Sequence, residues 1–157
     1  RLTEHLFISP PIQGWILVAG QGIPDPADDI DKCFHLALKL SRALGHVQFF
    51  SADRTVNHHA WVRIEDGRIR RAYAWAGQTL WNQGAVSPAE KALGLKSYDY
   101  GQTPDTFDLS SGDSHRANAE KVNALAARWS LDPASVQEEM LTGRFGIVGD
   151  FLHSKPR

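Results

Sequence analysis

Asp53 and Arg54 stand side by side, a few residues ahead of the adjacent histidines His58 and His59. A carboxylate and an imidazole held within reach of each other can act as orienter and base. Asp53, Arg54 and His59 are the trio that a small hydrolase or transferase would use here. A polar turn closing a strand explains the same letters. Successive side chains of a strand point to opposite faces, so His58 and His59 cannot share one metal ion without a bulge. Neither a C-x-x-C nor an H-E-x-x-H spacing accompanies them. The expectation is that no metal is held.

Gly20-Gln21-Gly22 lies between an apolar run and an amphipathic one, as a dinucleotide loop would. That fingerprint needs a further glycine three residues on, where helix and strand pack closely, and this chain has Asp25. Pro24, Pro26 and the neighbouring acids would also repel a pyrophosphate, so no cofactor is expected. Asp25, Asp28, Asp29 and Asp31 lack the alternate spacing around a glycine that a calcium loop uses. Asp105, Asp108 and Asp113 come no closer. Cys33 falls on an apolar stripe, where a thiol behaves as a small hydrophobe rather than a nucleophile. Glu90 and Asp132 are accounted for as helix caps.

The elements that must position these groups are legible. Leu6-Phe7-Ile8 is a short apolar run, Pro10-Pro11 breaks the chain, and Trp15 to Ala19 reads as a strong buried strand. A helix is expected from about Asp29 to Leu44. Its apolar face carries Ile30, Cys33, Phe34, Ala37, Leu38, Leu40 and Leu44, and Gly45 stops it. Val47 to Ala52 is a strand. Residues 57–83 then read as a hairpin running into a third strand around Thr79-Leu80-Trp81, with three of the chain's five tryptophans. Ser87-Pro88-Ala89-Glu90 is a capping box that starts a short helix. Residues 97–114 are polar and turn-rich. A helix starting at Asp113 or Ser114 runs to about Ser130, and Asp132-Pro133 caps a last one ending near Gly143.

Asp66-Gly67 is the favoured pair for a two-residue type I′ turn and sets the hairpin's register. In that register Arg63 faces Arg70, Val62 faces Arg71 and Trp61 faces Ala72. One face then holds His58, Ala60, Val62, Ile64, Ile69, Arg71, Tyr73 and Trp75, and the helix is expected to cover it. The other holds His59, Trp61, Arg63, Glu65, Arg68, Arg70, Ala72 and Ala74, and is expected to be open. The order ββαβββ predicts an α+β protein. Its antiparallel twisted sheet would have about five to six strands packed by the 29–44 helix, with a helical C-terminal part.

The chain has 157 residues, which suits a single domain spanning 1–157. A domain of this size hides roughly 70% of its unfolded surface, enough for a core without staples. Lys and Arg number 17 against 18 Asp and Glu, so no overall field draws nucleic acid or an anionic membrane. One cysteine makes no internal disulfide. The longest apolar run falls far short of the ~20 residues of a membrane span. No cationic-then-apolar leader opens the sequence. The expectation is a cytoplasmic protein away from membranes.

A Gly-Trp strand, an amphipathic helix and a W-x-x-x-x-D-G-x-x-x-R-x-Y hairpin together resemble small bacterial accessory proteins. The functional expectation is a non-catalytic protein-binding module of accessory or immunity type. Its contact residues would be Trp61, Arg63 and Arg70 on the open hairpin face, extended by Trp81. Tryptophan supplies desolvated area there and arginine supplies charge-assisted bonds. The hydrolase or transferase built on Asp53, Arg54 and His59 is the alternative. A weak nucleic-acid binder is the second alternative, using the hairpin tip, where Arg63, Arg68, Arg70 and Arg71 outnumber Glu65 and Asp66 by two.

Overall fold

The computed structural model describes residues 5–102 and 116–150. The start of the second long helix, Asp105, Asp108, Asp113 and most of the 97–114 loop lie outside them. The protein is α+β, with two antiparallel sheets and four helices among the described residues. None of those helices is long and apolar enough to cross a membrane.

The larger sheet is a meander of β3 (His46–Asp53), β4 (His58–Glu65), β5 (Arg68–Trp75) and β6 (Thr79–Gln83), in that spatial order. Asp66 (φ 49°) and Gly67 (φ 70°) form the tight turn between β4 and β5. Positive φ at both positions is the type I′ requirement, which the Asp-Gly pair meets.

The expected single sheet of five to six strands is instead two sheets. β1 (His5–Ile8), β2 (Val18–Gly20) and β7 (Ile147–Asp150) form their own sheet in the order β2-β1-β7. A second tight turn builds its hairpin. Ile12 and Trp15 exchange both backbone hydrogen bonds, at 2.7 and 2.9 Å, around Gln13 (φ 50°) and Gly14 (φ 84°). The segment read as a buried strand, 15–19, is exposed at Ile16 and Val18. Apolar letters alone do not specify burial, because apolar residues are not confined to the interior. β7 comes from the glycine-containing tail, which has no alternating signature of its own.

α1 (Ile30–Leu44) starts where Asp29 accepts a hydrogen bond from the Lys32 amide and stops at Gly45 (φ 85°). It lays Cys33, Phe34 and Ala37 on one face of the larger sheet, against Ala60, Val62, Ile64, Ala72 and Ala74. α2 (Pro88–Leu93) carries the capping box complete, and Gly94 ends it in the left-handed region. α3 (Arg116–Trp129) brings Val122 and Leu125 to the opposite sheet face, against Trp61, Tyr73 and Trp75. A 3-10 turn (Pro133–Ser135) capped by Asp132 and a short α4 (Glu138–Leu141) stand where one last helix was expected.

The sheet is therefore covered on both sides, and this corrects the expected open face. The pairing slips between Arg63 and Ile64. Ile64 pairs with Ile69, but Arg63 pairs with Arg71 and Trp61 with Tyr73. Arg70 is the extra residue of a β-bulge. One inserted residue sends every later β5 side chain to the other face. Ala72 and Ala74 move under α1. Tyr73, Trp75 and Arg71 join Trp61 and His59 under α2 and α3.

Candidate functional site

Trp61 is fully buried. Its indole stacks on His59 with ring centroids 5.7 Å apart, and it packs against Tyr73 at 5.0 Å. Its Nε1 donates to Glu90 Oε1 at 2.8 Å. Trp81 is half-buried, edge-on to Phe34 of α1 at 5.3 Å, with its Nε1 donating to Gln83. A second slip, between Ala74 and Trp75, pairs Trp81 with Ala74 and so turns it toward α1. Both expected aromatic anchors thus serve the interior.

Arg63 and Arg70 remain at the surface, and both reach for one carboxylate. Arg63 Nη2 lies 2.8 Å from Glu65 Oε1, and Arg70 Nε lies 3.1 Å from Glu65 Oε2. The Arg63 hydrogen bond, helped by Arg70, holds the Glu65 carboxyl below its usual range. The tip's positive charge is thus partly met within the hairpin.

The trio of the alternative reading does not converge. Asp53 Oδ1 accepts the Thr55 and Val56 amides at 2.8 and 3.4 Å, the arrangement of a self-capped turn. Register pairs Asp53 with His58 and Ala52 with His59. Asp53 and His59 therefore project from opposite sides of the sheet. His59 is buried, and its Nε2 lies 3.2 Å from Asn118 Nδ2. Asn118 in turn accepts the Lys96 amide and donates to the Lys96 carbonyl, tying α3 to the loop after α2. Cys33 is buried under α1. Burial, reinforced by Asp25 and Asp29, pushes its thiol up to about 12.

Sequence reasoning missed two features. One is the ion pair between Arg71 and Glu90, 2.8 Å from Nε to Oε1 and buried on both sides. Its signal was Arg71 itself, the single charge on an expected core face. The other is the apolar surface of the small sheet. Val18, Ile8 and Ile147 form one cross-strand row, and Ala19, Phe7 and Val148 form another. Directly opposed residues share a face, so each side of the sheet carries one row. Ile147 is 65% exposed and Val148 69%. Phe145, just before β7, is more open still. Comparison with protein-family models, with curated proteins and with solved structures gave no match.

Proposed function

We propose that this chain is a protein-binding module of accessory or immunity type, and that it docks through the β2-β1-β7 sheet. The observation that carries this is the pair of apolar rows, one on each face, with Ile147 and Val148 largely open to water. A contiguous exposed apolar patch is the ordinary mark of an interaction site. Small ribbons also gain stability when a hydrophobic face is covered.

The occupant we favour is an extended apolar segment of a different protein. Among the described residues β7 pairs with β1 alone and forms one edge of its sheet. An edge strand presents main-chain donors and acceptors to an incoming strand, and the exposed side chains beside it supply contact area. The hydrolase reading finds less support, because Asp53 and His59 lie on opposite sheet faces. The nucleic-acid reading finds less because Glu65 engages both Arg63 and Arg70.

The test uses the whole chain as bait in extract of its native cell, beside Ile147→Lys and Val148→Lys. Leu44→Lys, at an exposed site on α1, is the control. The expected result is a defined protein retained by wild type and Leu44→Lys and lost from both sheet variants. An unchanged retained set, with all four baits folded by circular dichroism, would overturn the reading.

A further inference from the structure

A cleft of about 210 Å³ opens between β3 and α3. Phe50, Ala119 and Val122 give it an apolar floor, and Ser51, Asn123 and Arg54 stand around its mouth. Two properties of this place are independent of its apolar lining. First, among the described residues β3 is an edge strand, paired with β4 on one side only. In an edge strand alternate N–H and C=O groups point away from the sheet, here along residues that line the cleft. Second, Arg54 is exposed, and among the described residues no carboxylate pairs with it. The adjacent Asp53 carboxylate accepts two backbone amides instead.

An apolar floor, a strand edge and an unmatched guanidinium call for three complementary groups in one ligand. Those are an apolar side chain, a run of amides and an anion. A peptide's C-terminal residue carries all three. We infer that the cleft takes the C-terminal residue of an extended peptide. The peptide's main chain runs beside β3, its last side chain rests on Phe50, Ala119 and Val122, and its carboxylate meets Arg54. Arg54 follows the C-terminal end of β3, so the peptide runs parallel to that strand. The cleft is smaller than the ~300–1,000 Å³ of sites for drug-sized molecules, which suits one residue rather than a larger body. A simple aliphatic acid would use the floor and Arg54 but leave the strand edge unused.

Calorimetric titration of the full chain tests this with three probes. They are an N-acetylated alanyl-alanyl-leucine with a free carboxylate, the same tripeptide as its carboxamide, and isocaproic acid. The free-acid peptide should bind saturably at one site, about tenfold more tightly than the carboxamide. Isocaproic acid should bind more weakly than the peptide. Arg54→Gln, a surface change that leaves the thermal midpoint in place, should bind acid and amide peptides alike. Ile147→Lys should leave this binding untouched, which separates it from docking on the small sheet. Three results would overturn the inference: no saturable heat at millimolar peptide, equal affinity of acid and amide for the wild type, or isocaproic acid matching the peptide.

Discussion

Arg71 and Glu90 form an ion pair that water does not reach, with 3% and 1% of their side-chain surfaces exposed. Glu90 Oε2 accepts the Ser87 amide at 2.7 Å and closes the capping box of α2. Oε1 accepts both Arg71 Nε and Trp61 Nε1. One carboxylate therefore ends a helix and fastens it to the sheet. Arg71 Nη1 lies within 3.3 Å of four acceptors: the carbonyls of Ala72, Gln83 and Gly84 and the side-chain oxygen of Asn82. Nη2 has no partner among the described residues.

Removing one member of such a pair strands the other's charge in the interior. Glu90→Ala should cost about 3–5 kcal/mol in urea denaturation. The double variant Arg71→Met, Glu90→Leu should cost clearly less than Glu90→Ala, because no charge is left buried. A double variant as unstable as the single would show that the hydrogen-bond network, rather than the stranded charge, dominates.

Trp61→Ala should behave as a core truncation. The expected loss is about 3–5 kcal/mol. A solvent-facing tryptophan would cost within about 0.5 kcal/mol at such a site. The denaturation midpoint separates the two outcomes without reference to any partner.

Gly67 combines a positive φ with a crowded position. A methyl group added there would meet Arg42 Cγ at 2.6 Å. Gly67→Ala should therefore destabilise the protein by about 1–3 kcal/mol, through backbone strain and displacement of Arg42. The same measurement on Gly77→Ala isolates the strain, since nothing lies within 4 Å of that position.

Cys33 makes stability depend on alkaline pH. Its thiol is raised from 9.0 to about 12 by burial first, then by Asp25 and Asp29. Below pH 9 both folded and unfolded chains keep the proton, and the thiol contributes no slope. Between 9 and 12 the unfolded chain loses the proton first, so stability falls as pH rises. Cys33→Ala should flatten that part of the curve in urea midpoints taken across the range. Equal slopes for both proteins would place the alkaline loss elsewhere.

Features written in local chemistry were legible. Asp29 and Gly45 delimit α1, Ser87 and Glu90 form the capping box, and Asp66-Gly67 makes the turn, because each depends on residues a few positions apart. The facial assignment failed beyond Ile64 because Arg70 adds one residue to β5, and an isolated hairpin sequence carries no mark of that insertion. Glu90 was legible as a cap, but its second task requires Arg71, 19 residues earlier in sequence. The β2-β1-β7 sheet depends on a pairing between the two ends of the described chain, which no short-range pattern encodes.

Because α1 and α3 sandwich strands β4 and β5 from opposite sides, the meander acts as a dividing wall whose two surfaces are both dry. A shortened version ending before residue 116 would keep Phe34 shielded yet strip Val122 and Leu125 from the side that holds Trp61 and Tyr73, leaving α2 to cover them only in part. Such a fragment would be sticky and prone to clump, even with its first helix and hairpin intact.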